Sequence, residues 1–456
     1  MKKTVALVAL ASLLCLGGTA MANIGTADIV PAATLLIPRF EVELGNAGGL
    51  TTLFSVNNAS NESVLAHVTL WTELWVPIVD FDVYLTGYDV QTFNVRDILN
   101  GSLPQTGSLD TLSNRGAFSG PHVNFPGCSN TFGNPTNYGP IAGSFVTLIQ
   151  QAFTGLPITS FGGACASVPG NTDLARGYIT VDSVNRCDQL FPDSEPYFID
   201  GGDDPFAVAN NNNVLWGDYF FVDPANDFAQ GFTAVHIEAD SVNLLGVNGS
   251  CDPTDGFPYT HYCSLAQNAL DIPGEDNREA LASVYAVRYL QAGAFTGGTS
   301  VIAWRDPKTG ANAPAANCAV LINQVAMGND QIVRFDEEEN PVVPSGGPSG
   351  QPDVLESPFP YCTNRAVVGQ DITVDADFGW LYLNLNRTLE EGTFNQAYVT
   401  VVLDASGRFS VGFDALQLNG LTANDGRVTS PFLGTGPFPT LTDAPLEVQP
   451  LGTSVP

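Results

Sequence analysis

Four histidines, eight cysteines and 47 acidic residues are the groups in this 456-residue chain that could bind a metal, attack a substrate or move a proton. The most suggestive spacing is FTAVHIEAD, residues 232–240. Residues i, i+2 and i+4 of a strand point the same way. His236, Glu238 and Asp240 would then share one side, and Val235, Ile237 and Ala239 the other. One imidazole beside two carboxylates is the start of a cation site. Zinc, however, wants three or four protein ligands, and His67, His122 and His261 stand alone, with no HxH or HExxH spacing. The stretch reads first as a half-buried strand, wet through His236, Glu238 and Asp240. It reads second as the place to look for a bound cation.

Acidic loops offer the oxygens that calcium takes. Asp200, Asp203 and Asp204 lie in DGGDD, Asp223 and Asp227 in DPAND, and Asp252 and Asp255 between Cys251 and Cys263. None has EF-hand spacing, and Asp and Gly are also ordinary turn residues. The loop at 223–227 just precedes the histidine strand and is expected to add oxygens to it if the two lie close. In HVTLWTELW, residues 67–75, alternation puts His67, Thr69, Trp71, Glu73 and Trp75 on one face. Two tryptophans there could stack on sugar rings. Large aromatics are more often buried, so a place under a loop or a second sheet is the first expectation. A sugar cleft would draw on Trp71 and Trp75, with Tyr84, Tyr88, Trp216 and Tyr219 as further lining. No GxSxG, SxxK, GxGxxG or GxxxxGK[ST] motif supplies a nucleophile or a phosphate cradle.

The N-terminus suggests where such groups would work. Lys2 and Lys3 precede the apolar run VALVALASLLCL, and Ala20-Met21-Ala22 follows as a small-x-small cleavage pattern. Residues 1–22 are therefore expected to be a bacterial signal peptide. Cys15 follows Leu14, too large for a lipobox. No later run of 18 apolar residues predicts a transmembrane anchor. The expected destination is the cell surface, the medium or the periplasm. A formal net charge of −31 with only 16 Lys and Arg leaves no basic cluster for nucleic acid or anionic lipid. Export makes disulfides the default state of cysteine. Proximity in sequence suggests Cys251–Cys263, Cys318–Cys362 and Cys128–Cys165, with Cys187 left over.

Short runs rich in Val, Thr, Phe, Tyr and Leu, punctuated by Gly, Pro, Asn and Asp, must position all of this. Strands are expected at 34–44, 51–58, 64–76, 81–95, 175–184, 213–223, 232–240, 283–290, 299–306, 370–386, 396–404 and 408–418. Hairpin turns are expected at 46–49 and 404–408, and a helix at 144–153. A helix over 277–290 competes with the strand from Ser283. The expected fold is mainly β: two antiparallel β-sandwich domains, Ig-like or jelly-roll-like, with long disulfide-bearing loops. The first spans 23–275, with a Cys-bearing loop region at 100–172. The second spans 276–456, with an acidic Pro/Gly loop at 336–360. A faint internal echo links the two: Arg39-Phe40 and Arg288-Tyr289 each precede a Gly-rich turn and a Thr-led apolar strand.

These readings lead to an exported structural or adhesive protein of a surface, filament or matrix, stabilised by calcium. Its partners would be other surface proteins, further copies of itself, or glycans. The alternative is a secreted carbohydrate-active enzyme or sugar-binding module.

Overall fold

The computed structural model describes residues 29–102, 143–170, 173–188, 190–194, 196–198, 204–239, 261–262, 276–279, 281–293, 295–305, 318, 332–338, 340, 359, 361–374, 376–385, 396–406, 414–417, 420–421 and 428–429. Residues 1–22, expected to be a signal peptide, Cys128, Asp200, Asp203, Asp240, Cys251, Asp252, Asp255 and Cys263 lie outside them, as does most of the loop at 336–360. The fold is mainly β, in several antiparallel sheets.

The first part of the chain carries β1 (Thr34–Glu43), β2 (Thr51–Asn58), β3 (Val64–Thr72), β4 (Pro77–Leu85), β5 (Val90–Asn94), β6 (Leu174–Val184), β7 (Leu215–Trp216), β8 (Asp218–Asp223), β9 (Phe228–Thr233) and β10 (Val235–Ile237). Helices α1 (Val95–Leu99) and α2 (Gly143–Thr154) follow β5. Sheet I runs β10-β1-β6-β3-β4, and sheet II runs β5-β2-β8-β9 with β7 beside β2. The later part carries β11 (Val284–Leu290), β12 (Gly298–Arg305), β13 (Ile332–Asp336), β14 (Thr363–Val367), β15 (Phe378–Asn384), β16 (Ala397–Asp404) and β17 (Leu416–Gln417). Sheet III runs β13-β15-β11-β17, and sheet IV runs β14-β12-β16. A short ribbon pairs β18 (Gly420–Leu421) with β19 (Val428–Thr429).

Most expected strands form, with instructive breaks. The run at 64–76 stops at Thr72, where Trp75 takes a positive φ of 59° and the chain turns back into β4. The run at 81–95 divides at a turn through Tyr88, φ 58°. The segment 277–290 is strand, not helix, from Val284, while 144–153 is helical as its periodicity requires. The turn at 46–49 does not close a hairpin. It carries the chain out of sheet I and into sheet II, so β1 and β2 belong to different sheets. FTAVHIEAD is divided in the same way. β9 lies in sheet II, β10 in sheet I, and the chain changes sheets at Ala234, whose N–H donates to the Gly217 carbonyl at 3.1 Å.

The faint echo in the sequence corresponds to a repeat in the structure. Replacing β1, β2, β3, β5, β6, β8 and β10 by β11, β12, β13, β14, β15, β16 and β17 reproduces both strand orders. Even the change of sheet recurs: Asp414 bridges Thr400 on β16, and Leu416 and Gln417 then join β11 across Ala415. Two local devices recur with it. The hydroxyl of Thr52 donates to the Glu41 carbonyl at 3.1 Å and accepts the Glu41 N–H at 2.9 Å. Thr299 does the same with Leu290, at 2.8 Å both ways. Each threonine thus ties the start of one sheet to the end of the strand before it. Next to it, Phe40 lies across from Gly177 and Tyr289 across from Gly379. A Cβ at Gly177 would strike the Trp71 carbonyl and the Phe40 ring; at Gly379 it would strike the Phe335 carbonyl and the Tyr289 ring. Glycine is needed at both because an aromatic ring folds over the strand.

Sheets I and II share one core, including Ile37, Val68, Phe81 and Ile179 from the first and Phe54, Phe93 and Phe221 from the second. Sheets III and IV share another, around Tyr285, Val287, Val301, Leu381 and Val401. The outer face of sheet IV also meets the first repeat: Ile302 and Val402 enter its core. Cys165–Cys318 ties the two repeats covalently, with Cα atoms 5.1 Å apart. That bond overturns the expected Cys128–Cys165 and Cys318–Cys362 pairs, because folding brings together residues 153 apart in sequence. Cys187, expected to be left over, is disulfide-bonded, and Cys362 keeps a buried thiol.

Candidate functional site

The richest collection of chemically able groups is a polar row across the outer face of sheet I. Strand register places Thr34 beside Asp182, Asp182 beside His67, and His67 beside Asp82, on β1, β6, β3 and β4 in turn. All four are buried. They face away from the core between the sheets, under a cover made by Tyr197, Phe198, Tyr262 and Arg278. Asp182 accepts from the Thr34 hydroxyl, from Tyr197 at 3.0 Å and from Tyr262 at 2.9 and 3.0 Å. Arg278 spans the cover. It donates to Thr34 Oγ1 at 3.0 Å, the Asn210 carbonyl at 2.8 Å and Asn211 Oδ1 at 2.9 Å, and lies 4.9 Å over the Phe198 ring.

His67 is the titrating centre of the row. Its Nδ1 is 2.9 Å from Asp82 Oδ1, and its Nε2 is 3.8 Å from Asp80 Oδ2. Burial works against a charged imidazole, but the carboxylates of Asp82, Asp80 and Asp182 outweigh it and push the pKa up to about 9. Burial pushes Asp80 up to about 6 and raises Asp82, each partly offset by His67. The cluster therefore holds its proton tightly. His67 Nε2, Asp80 Oδ2, Asp82 Oδ2 and Thr69 Oγ1 are buried without hydrogen-bond partners. With His67 wholly covered, the geometry suits a structural proton better than one exchanged with a substrate.

A second charged group forms the seam between the repeats. Arg39 pairs with Glu41 at 2.7 Å and Glu73 at 3.2 Å, and donates to the Thr363 carbonyl of the second repeat at 2.9 Å. Arg365 reaches back to Glu41 at 2.8 Å, and Arg176 meets Glu73 at 3.3 Å. Burial would raise the Glu41 carboxyl, yet Arg365 and Arg39 hold it down at about 2. Burial also opposes the charge of Arg39, and its two glutamates more than offset that. Trp75 Nε1 donates to the Arg305 carbonyl at 3.1 Å across the same seam.

The residues singled out from spacing lie elsewhere and apart. His236 is buried with Val235 and Ile237, so the expected wet face does not exist there: β10 is covered on both sides. His236 Nε2 accepts the Gly217 N–H at 3.3 Å, and burial lowers its pKa to about 4, leaving a neutral ring. Glu238 is half-buried just past the strand. Asp223 and Asp227 flank the β8–β9 turn, at the end of the ladder opposite Asp218 and Thr233, where the chain leads on to His236. Five strand residues separate the two ends, about 17 Å, so the loop does not serve His236. Asp223 instead accepts from Asn226 at 2.7 Å, and Asp204 caps its own turn at the Phe206 N–H, 2.6 Å. Among the described residues no three His, Cys, Asp or Glu side chains come together as a metal site. Trp71 and Trp75 are fully buried, Trp71 stacked on Tyr178, and Tyr84 and Tyr219 are buried too. Both tryptophans thus take the buried places that were the first expectation, so they do not line the alternative sugar cleft, while Tyr88 and Trp216 are exposed.

Sequence reading found His67 on its polar face but not Asp82, Asp182, Arg39, Arg278 or Arg365. The available signal was alternation in FDVYL and ITVDSV, which sets Asp82 and Asp182 at strand positions in step with His67. Compared with protein families, curated proteins and solved structures, the chain matches none.

Proposed function

We propose that the chain is an exported structural or adhesive bacterial protein built of two β-sandwich domains, 23–275 and 276–456. The observation that carries this reading is the use made of its ionisable groups. His67, Asp82, Asp182, Arg39, Glu41 and Glu73 are buried, and they join strand to strand or repeat to repeat. Such groups add rigidity and specificity of packing. The leader-like residues 1–22 and the acidic composition support export and solubility outside the cytoplasm. Among the described residues, calcium belongs to this reading at the β8–β9 turn, where Asp223 Oδ1 is buried without a hydrogen-bond partner. Melting in EDTA and then in added Ca²⁺ tests it, since a bound ion must raise the melting temperature.

Fractionation of cells producing a C-terminally tagged chain tests the main reading. The expected product is external, begins near Asn23, and is labelled by an impermeant biotin reagent on intact cells. A cytoplasmic product retaining residues 1–22 would overturn it.

A further inference from the structure

The repeat makes it possible to ask what each face of one repeat does in the other. Setting Thr52 against Thr299 and following the strand registers equates Val90 with Thr363, Trp216 with Tyr398, and Phe220 with Val402. In the second repeat these positions lie on the outer face of sheet IV, which packs on the first repeat. Thr363 is 0% and Val402 1% exposed, and Tyr398 packs against the cluster over sheet I. In the first repeat the same positions, on the outer face of sheet II, are open: Val90 is 56%, Trp216 41% and Phe220 40% exposed. Three of the large apolar side chains that this molecule shows to solvent therefore fall on one face, at the places its counterpart uses for docking. In a chain of net charge −31, the described residues of that face include a single ionisable group, Asp218, hydrogen-bonded to Ser55 at 2.6 Å. Depletion of charge with retained aromatics is the composition of an interface core.

We infer that sheet II of one molecule docks on the second repeat of another copy, in the way that sheet IV docks on the first repeat within the chain. The inference deepens the structural reading above and gives its self-association a geometry. The receiving surface follows from the same equivalence. Within the chain, Arg39 donates to the Thr363 carbonyl and Glu41 receives Arg365. The counterparts of Arg39 and Glu41 are Arg288 and Leu290 on β11; those of Thr363 and Arg365 are Val90 and Thr92 on β5. Arg288 of one copy thus faces the Val90 carbonyl of the next, and an apolar Leu290–Thr92 contact replaces the Glu41–Arg365 ion pair. The two surfaces differ, so the contact is heterologous and each molecule offers one of each. Such contacts propagate into a row unless the rotation closes a ring.

Sedimentation velocity of the mature chain from about 1 to 100 μM tests this. The wild type is expected to shift to dimers and longer species with concentration. The variant W216S/F220D alters exposed side chains only, so it should keep its melting temperature and weaken association at least about tenfold. R288E, on the receiving surface, also removes the Arg288–Glu337 ion pair and the contact with the Trp380 ring, so its melting temperature is measured alongside; its association should weaken by a similar factor. Mixing the two variants should restore a dimer but nothing longer, because each keeps one good surface. A wild type that stays monomeric throughout, including one that binds glycans through Trp216, overturns the inference. So does association undiminished in W216S/F220D, or a mixture that forms no dimer. Recovery of a monomer from the cell surface would leave the structural reading standing while this contact fails.

Discussion

Arg39→Met tests the seam most directly. The guanidinium is buried and makes three contacts: Glu41, Glu73 and the Thr363 carbonyl of the other repeat. Methionine keeps much of the volume and removes all three. Breaking a buried ion pair from one side typically destabilises by about 3–5 kcal/mol, because the partner's charge stays behind. Here each abandoned acid keeps company: Glu41 retains Arg365, and Glu73 retains Arg176 and the Ser167 hydroxyl at 3.3 Å. The expected loss therefore sits near the lower end, about 3 kcal/mol. Urea is the denaturant of choice, since guanidinium would screen the charges under test. The unfolding midpoint at pH 7 should fall, and a transition shared by the repeats should begin to separate into two. Arg39→Met with Glu73→Gln should be less destabilised than the two single losses together, because the second change removes a charge the first left unpaired. A loss under about 1 kcal/mol, or strict additivity in the pair, would refute the reasoning.

Other expectations follow from the same contacts. The pKa of His67 is raised from 6.5 to about 9, so its contribution is complete below pH 6.5 and disappears as pH rises through 9. The urea midpoint should drop between pH 6.5 and 9.5 by the equivalent of up to about 3 kcal/mol, and His67→Gln should flatten that slope. An equally steep slope in the variant would assign it to other groups. On the acid side, His236 and His261 are lowered to about 4 and 3, and Glu41 to about 2. Their contributions are present above their ordinary values and are lost as pH falls through these numbers, so acid unfolding should set in below pH 6.5. Thr52→Val and Thr299→Val each strand a backbone N–H and carbonyl, and each should lower stability by about 1–3 kcal/mol. A large effect in one repeat and none in the other, by thermal melts, would undo the equivalence of the two threonines. Cys165→Ser with Cys318→Ser opens a cross-link spanning 153 residues and should destabilise by about 2–5 kcal/mol in non-reducing melts.

Much of the architecture was legible because period-2 alternation and turn residues are local signals. TTLFSVNN and SFVTLIQQAF form the elements their patterns require. Sheet membership is not local. Nothing in GNAGG or in the single Ala234 tells a hairpin from a change of sheet, since either route satisfies the same backbone geometry. The repeat was only faintly legible for a related reason. Phe40 and Tyr289, Gly177 and Gly379, and Thr52 and Thr299 keep their roles, while the residues between them differ in length and type. The functional reading failed where burial was inferred from polarity. His236 looked wet because acids follow it at i+2 and i+4, yet β10 is buried on both of its faces. The seam was invisible because Arg39 and Arg365 are 326 positions apart, and only folding makes Glu41 their common partner.

The repeat also determines where a pull along the chain would be felt. In each repeat the entering strand lies antiparallel to the leaving one: Thr34 opposite Ile237, and Tyr285 opposite Gln417. Tension between the two ends therefore peels a ladder one bond at a time from its open fork, the weak direction for a sheet. In the first repeat Arg278 grips that fork, bonded to Thr34, to Asn210 and to Asn211. In the second, Val284 stands where Thr34 does and has no side-chain hydroxyl for an arginine to bond. With Cys165–Cys318 reduced, so that the load passes through both repeats in series, the second repeat should yield first, extending like a fuse while the first keeps its grip.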